Sequence, residues 1–171
     1  ERKIAAGQGE IEKAKRTEAD FKRDLEYINS YNGAKATLLL NLPQASTEEV
    51  GRELHRIAKT YRNGAYGTVG TYAGLNLLVH SEYNMDGTFD RNTFFVEGIS
   101  GLKYRCGLSG ALPLGFVESA QYPHGALSKL PSLIEKQQKA VERIESEIPT
   151  LQDIICRQWS KADELSRLKQ E

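Results

Sequence analysis

Apolar positions recur at alternating spacings of three and four over two long stretches, one towards each end of the chain. In the C-terminal stretch Leu127, Leu130, Ile134, Val141, Ile144, Ile148, Leu151, Ile155, Ala162 and Leu165 keep this rhythm or its multiples, with polar Gln137 and Gln158 in seam positions. Such a stripe belongs to a helix that buries one face against a partner helix. In the N-terminal stretch Ile4, Ile11, Ala14, Phe21, Leu25 and Ile28 repeat the spacing, which predicts a helix over residues 1–29. Its other face alternates in charge, with Glu12 four residues before Arg16 and Glu18 four before Lys22, the favourable order for such pairs. Gly7 and Gly9 each cost about 1 kcal/mol relative to Ala, so well-formed helix is expected only from near Glu10. Asn29-Ser30-Tyr31-Asn32-Gly33 ends it with turn residues.

Between these stretches the period changes. Ala36-Thr37-Leu38-Leu39-Leu40 is short, apolar and followed by Pro43, as expected of a strand closed by a proline. Ser46, with Glu49 three residues on, has the form of a capping box. Val50, Leu54, Ile57, Ala58 and Tyr61 then share one helical face, and Asn63-Gly64 supplies the stop. Tyr66 to Tyr83 reads as strand, with Val69, Leu75, Leu77 and Val79 in partial alternation and Gly67, Gly70 and Gly74 interrupting. Asn84-Met85-Asp86-Gly87 is a hairpin signal, Phe94-Phe95-Val96 the return strand, and Leu102 to Cys106 a further strand after a turn at Gly98-Ile99-Ser100-Gly101. Gly110 to Gly125 reads as a Gly- and Pro-rich loop.

The expected architecture is therefore α+β: two long helices forming an antiparallel coiled-coil arm, plus a small antiparallel β-α-β-β-β sheet with one packed helix. Residues 1–29 and 126–171 would form the two strands of the coiled coil, and 30–125 the α+β module. Pro149 removes one backbone donor and clashes with the carbonyl of Glu145, so a kink is expected near it; a new helix starting there is the alternative. At about 1.5 Å per residue the first helix spans roughly 40 Å and would cover the second only to about residue 155. The overhang, with Trp159, would meet another part of the parent protein.

Charge adds little bias. Residues 1–29 hold seven basic and seven acidic side chains, residues 30–124 eight and eight, and residues 125–171 eight and eight. No segment is a basic or acidic tail, which removes the bulk electrostatic argument for nucleic-acid binding but leaves room for a local basic face. Cys106 and Cys156 show no CxxC spacing and no neighbouring His, as expected of two reduced thiols in a cytoplasmic protein. No run of about 18 apolar residues exists to span a membrane, and no signal peptide is visible. The chain opens without Met and both ends lie in helical pattern, which suggests a piece cut from a longer polypeptide.

Catalytic and cofactor signatures are weak. Gly67, Gly70 and Gly74 do not form GxGxxG, and Gly107-Leu108-Ser109-Gly110 lacks the Lys-Ser/Thr of a phosphate loop. His55, His80 and His124 have no partners at metal-ligand spacing, no nucleophile elbow is present, and Asp86 and Asp90 lack the remaining ligands of a calcium loop. No cofactor, metal or independent enzymatic activity is expected. The surface worth weighing is a nucleic-acid face: Arg52, Arg56, Lys59 and Arg62 on or beside the short helix, Arg91, Lys103 and Arg105 from the sheet, and Tyr66, Tyr72, Tyr83 and Tyr104 as bases' stacking partners. Against it stand Glu48, Glu49 and Glu53, which balance the helix cations. Trp159, Leu165 and Leu168 are the candidate protein-interaction residues at the end of the arm.

Ile148-Pro149-Thr150-Leu151-Gln152, then Trp159 to Leu165 and Leu168-Lys169, resembles a region near the C-terminus of the large helicase–DNA methyltransferase fusions of bacterial conjugative elements and phages. Leu114 to Ser119, running into Leu127 and Leu130, is similar to their Gly-rich loop before the final helix, and Glu1-Arg2-Lys3-Ile4 to the segment after their helicase motor. The resemblance covers about half the chain. It implies a noncatalytic accessory module that contacts DNA or positions the motor, with an adenine methyltransferase and a superfamily-2 helicase motor preceding it. The methylase Asn/Asp-Pro-Pro-Tyr/Phe, Walker lysine and Asp-Glu-x-His motifs are absent, so no catalytic residue carries over. The implied partners are DNA and the rest of the parent chain. The alternative is a protein–protein interaction or oligomerisation module that self-associates through the arm and touches no nucleic acid.

Overall fold

A computed structural model describes residues 2–31, 38–40, 45–107 and 112–169, with backbone alone at 38–40, 158–166 and 168. In chain order the elements are α1 (Arg2–Ser30), β1 (Leu38–Leu40), α2 (Thr47–Thr60), β2 (Gly67–Tyr72), β3 (Leu75–Tyr83), β4 (Phe89–Glu97), β5 (Lys103–Arg105), α3 (Phe116–Ala120), α4 (Tyr122–Leu127) and α5 (Leu130–Leu168). The protein is α+β. It divides into two compact units, one of residues 1–19 with 132–171 and one of residues 20–131. The boundary falls inside α1, so that helix contributes to both.

The second unit is built on a five-stranded antiparallel sheet in the order β1-β2-β3-β4-β5. The pleat of β3 and β4 decides its two faces, although Leu78 and Thr93 on the second face are buried as well. Leu75, Leu77 and Val79 of β3, with Phe94 and Val96 of β4, form the buried face, and α2 and α4 pack against the sheet. Leu54 of α2, Leu77 and Phe94 are 1% exposed or less, and each contributes about 1.5–3 kcal/mol by leaving water. The expected β-α-β-β-β order gains a strand. The stretch Tyr66 to Tyr83 is two strands, because Ala73 and Gly74 take φ of 51° and 75° and close a two-residue turn between the paired Tyr72 and Leu75. Two successive positive φ values are what a tight hairpin requires, and the sequence Ala-Gly lacks the usual Asn or Asp that announces it.

Helix α2 starts as its sequence dictates. Ser46 Oγ accepts from the Glu49 N–H, and Glu49 Oε2 accepts from the Ser46 N–H at 2.7 Å. Its end is held by the sheet: Nδ2 of buried Asn92 on β4 donates to the Ala58 carbonyl at 2.9 Å and the Tyr61 carbonyl at 2.8 Å, while Asn92 Oδ1 accepts from Ser81. These are carbonyls that a helix C-terminus leaves without partners. The expected Gly110–Gly125 loop is corrected by α3 and α4. Pro123 sits in the first turn of α4, where its missing N–H costs nothing. A β-carbon at Gly51 would lie 1.8 Å from the Phe116 carbonyl oxygen, so glycine is what lets α2 and α3 approach so closely. The Ala36–Thr37 and Pro43 portions of the expected first strand lie outside the described residues.

In the first unit, α1 and α5 run in opposite directions. Glu18 accepts from Gln138 at 2.9 Å, and Gly7 lies beside Ile144. Lys15 and Glu145 form an exposed pair at 2.9 Å. Ala14, Ile134, Val141 and Ile144 are buried. Helix α1 runs from Arg2 through both Gly7 and Gly9 rather than from Glu10. Helix α5 is continuous through Pro149, so the new-helix alternative is not realised. Burial of its stripe falls along its length: Ile148, Leu151 and Ile155 are half-buried and Ile154 is 48% exposed.

Candidate functional site

The face of the sheet opposite α2 carries the chemistry. Asn76, His80 and Glu82 of β3, Arg91, Thr93, Phe95 and Glu97 of β4, and Lys103 and Arg105 of β5 share it by register. Glu82 gathers three donors: Arg91 Nε at 2.8 Å, Thr93 Oγ1 at 2.7 Å and Arg105 at 3.4 Å. The Arg91 bond, then the Thr93 bond and the Arg105 charge, hold its carboxyl below the usual range. Glu97 is lowered likewise by Asn76 and by Lys103, which stands 3.3 Å away. Tyr66 adds an aromatic cluster, its ring centroid 4.8 Å from that of His80 and 5.3 Å from that of Phe95, with Lys103 Nζ 5.1 Å from its centre. Tyr66 remains 47% exposed.

Arg91, Lys103 and Arg105 are thus brought onto one face, as a nucleic-acid surface would need. Arg52, Arg56 and Lys59 are not: they lie on exposed positions of α2, against the other face of the sheet. Arg52 pairs with Glu48 at 2.8 Å, and Arg56 pairs with Glu53 through two bonds of 2.5 and 2.7 Å. Arg62 stacks over Phe89 at 3.5 Å from the ring centre and donates to the Tyr61 carbonyl at 2.7 Å. Of the four tyrosines, Tyr66 and Tyr83 are exposed, whereas Tyr72 and Tyr104 are 4% and 5% exposed and cannot stack on a base. Their alternation in the strands points them inward. The side chains of Trp159, Leu165 and Leu168 lie outside the described residues.

Two buried polar clusters have the residue types of catalysis without its geometry. His55 Nε2 meets Ser119 Oγ at 2.9 Å. The single hydroxyl proton of Ser119 is directed at backbone carbonyls, Gly115 at 2.7 Å and Pro113 at 3.0 Å. His55 therefore donates to Ser119, the reverse of what a general base does for a nucleophile, and Ser119 is fully buried. The second cluster was not singled out by sequence. Asp24 of α1, fully buried, accepts from the Ser100 N–H at 2.9 Å and from the Ser100 and Tyr104 hydroxyls, each at 2.5 Å. Gly98 leaves the room: a β-carbon there would come within 2.0 Å of Oδ2. Burial, then the Asp24 bond and charge, pushes the Tyr104 phenol far above its ordinary value. The available signal was positional. Asp24 falls in phase with Phe21 and Ile28 on the apolar stripe, where a charge needs a partner. No group of three or more His, Cys, Asp or Glu among the described residues could hold a metal, and Cys106, buried, has its thiol pushed up to about 12 by desolvation.

These features define a small α+β module with one covered and one polar sheet face. Residues 22–127 match the model of a family described as a domain of unknown function (DUF8438), and the chain belongs to that family. No curated protein and no solved structure matches it. The family span nearly coincides with the sheet-bearing unit of residues 20–131. No described helix is long and apolar enough to cross a membrane.

Proposed function

We infer that this chain is a noncatalytic protein–protein interaction module, whose helix pair acts as an antiparallel coiled-coil arm. The observation that carries this reading is the burial gradient of α5. Its stripe is buried at Ile134, Val141 and Ile144 and only half-buried at Ile148, Leu151 and Ile155, while the sequence keeps its three-four spacing to Leu165. An apolar stripe maintained beyond its intramolecular partner suits a second helix. The test is a photoreactive residue at position 154, with one at outward-facing position 139 as control, in the cells that make the protein. Adduct formation with polypeptide at 154 and none at 139 is expected; no adduct at either sinks the reading.

A second reading, the DNA-contacting accessory module of a helicase–methyltransferase that the resemblance implies, is supported by the open sheet face. Cations and exposed aromatics stand together there, at Lys103 with Tyr66. Exposed ion pairs such as Arg91–Glu82 contribute only about 0–1 kcal/mol, so exchanging the carboxylate for a phosphate costs little. Affinity for single-stranded DNA, measured against salt, tests it: several phosphate contacts give a steep fall with rising salt, and Lys103→Glu with Arg105→Glu abolishes binding. No binding at low salt removes this reading.

A further inference from the structure

We propose that Arg91, Arg105 and the Thr93 hydroxyl form a phosphate seat on the open sheet face, held shut by Glu82, and that a single-stranded nucleic acid displaces Glu82 there while one of its bases stacks on Tyr66. The proposal rests on the DNA-contacting reading above and adds the form of the strand and the residue that restrains its binding.

The seat is recognised by what already sits in it. Glu82 Oε2 accepts from Arg91 Nε at 2.8 Å, and Oε1 accepts from Thr93 Oγ1 at 2.7 Å and from Arg105 at 3.4 Å. Guanidinium groups and a hydroxyl converging on anionic oxygens are the groups that grip a phosphate. Strand register builds the arrangement, with Glu82 opposite Arg91 and Arg105 opposite Phe95 on the neighbouring strand pair. The side chains of Arg91 and Arg105 keep 47% and 40% of their surface in water, so a ligand can reach them. Ion pairs this exposed are weak, and an incoming phosphate can take Glu82's place. Thr93 is fully buried, and its hydroxyl needs an acceptor. A phosphate oxygen supplies one, so the seat changes occupant without being emptied.

The stacking platform is the second observation. Tyr66 is 47% exposed, and its ring is propped by His80 at 4.8 Å and Phe95 at 5.3 Å. His80 lies two residues before Glu82 on the same face, about 6.7 Å along the strand, so platform and seat adjoin. Lys103 Nζ, 5.1 Å from the Tyr66 ring centre, adds a cation beside the platform. Unpaired bases stack on such a ring, whereas a duplex keeps its bases within its own stack.

Charge supplies the restraint. Arg91, Lys103 and Arg105 stand against Glu82 and Glu97, and Asp90 also meets Arg91 at 3.4 Å, so the resting face carries no net positive charge. A phosphate that takes the seat leaves Glu82 bare, and the bare carboxylate recovers a counterion. The wild-type chain therefore gains less from counterion release than the same cations would give without Glu82.

The test is fluorescence anisotropy of a labelled oligothymidylate and of a duplex of equal length, titrated with the full chain from low salt upward. The single strand should bind more tightly than the duplex. Tyr66→Ala should weaken it by about 5- to 150-fold, and Tyr66→Phe should keep it. Glu82→Gln, which keeps the shape of the side chain, should tighten binding by about tenfold and steepen the log–log salt slope by about 0.7. Arg105→Gln added to Glu82→Gln should cancel the gain, and urea unfolding checks that each variant folds. A Glu82→Gln chain whose affinity and slope stay at the wild-type values overturns the proposal, and so does a duplex bound as tightly as the single strand. In either case the DNA-contacting reading stands if the wild-type chain binds and Lys103→Glu with Arg105→Glu abolishes binding. No binding at low salt by the wild-type chain or by Glu82→Gln removes both.

Discussion

Replacing Asp24 should reveal how the end of α1 is fastened to the sheet unit. The carboxylate has no access to water and answers three donors, two from Ser100 and one from Tyr104. Asp24→Ala removes all three acceptor contacts. The Ser100 hydroxyl can turn elsewhere, but the Ser100 N–H and the Tyr104 O–H stay buried without partners, at about 1–3 kcal/mol each. A cavity of carboxylate size adds to this, and relief of the carboxylate's own desolvation offsets part. The expected net loss is about 3–5 kcal/mol, a large share of a domain's stability. Asp24→Asn keeps the shape and one acceptor oxygen, so about 1–2 kcal/mol is expected. Tyr104→Phe removes one donor and leaves the carboxylate two, again about 1–2 kcal/mol. Because Asp24 and Tyr104 share a bond, the double variant should fall short of the sum of the singles by about 1 kcal/mol or more. The assay is urea unfolding followed by near-ultraviolet circular dichroism of the tyrosines. Asp24→Ala within about 0.5 kcal/mol of the parent, or strict additivity with Tyr104→Phe, would refute the account.

Glycine substitutions should separate by site. Gly51→Ala drives a β-carbon into the Phe116 carbonyl and should destabilise by about 2–3 kcal/mol in urea, despite the better helix propensity of Ala. Gly9→Ala, with nothing within 4 Å, should raise the melting temperature through a gain of about 0.5–1 kcal/mol. Alkaline stability should fall in two stages. The Cys106 thiol is raised in the fold from 9.0 to about 12, and Tyr104, Tyr72 and Tyr122 are raised above 10.0, chiefly by burial. Below pH 9 these groups are protonated in both states. Above it the unfolded thiol loses its proton first and the unfolded phenols follow from pH 10, so unfolding becomes easier by about 1.4 kcal/mol per pH unit for each group. Cys106→Ala should delete the first stage in unfolding curves collected between pH 8 and 11. Asn92→Leu leaves the carbonyls of Ala58 and Tyr61 without their donor and should cost about 2–4 kcal/mol, read from the same urea curves.

Where local chemistry decides structure, the chain could be read directly. Ser46 and Glu49 name the start of α2 because each supplies what the other's backbone lacks, and Asn84 to Gly87 names the β3–β4 hairpin. The Ala73–Gly74 turn escaped notice because its backbone conformation is imposed by the two strands it joins, not announced by its residues. Helices α3 and α4 lie in a stretch of Gly and Pro whose helicity comes from packing on α2 and on the sheet, a tertiary effect with no periodic trace in so few residues. The candidate cations were visible individually, but their grouping was not. Arg91, Lys103 and Arg105 meet only through strand register, and the same register delivers Glu82 and Glu97 to neutralise them. Asp24 stands among the many charges of α1, and Gly98, Ser100 and Tyr104, over seventy residues away, make its burial tolerable.

The partition inside α1 has a consequence for how the molecule could have been assembled. The chain leaves the helix pair at residue 19, close to the contact of Glu18 with Gln138, and rejoins it at residue 132. Between those points lies the whole family span. The sheet unit is thus an insert spliced into a helical hairpin, with its upstream junction hidden within an unbroken helix. Such a layout lets the insert be exchanged or excised without redesigning the hairpin. A short turn joining residue 19 to residue 132 should leave a two-helix stalk that still pairs, and helicity measured on that excised chain would show it.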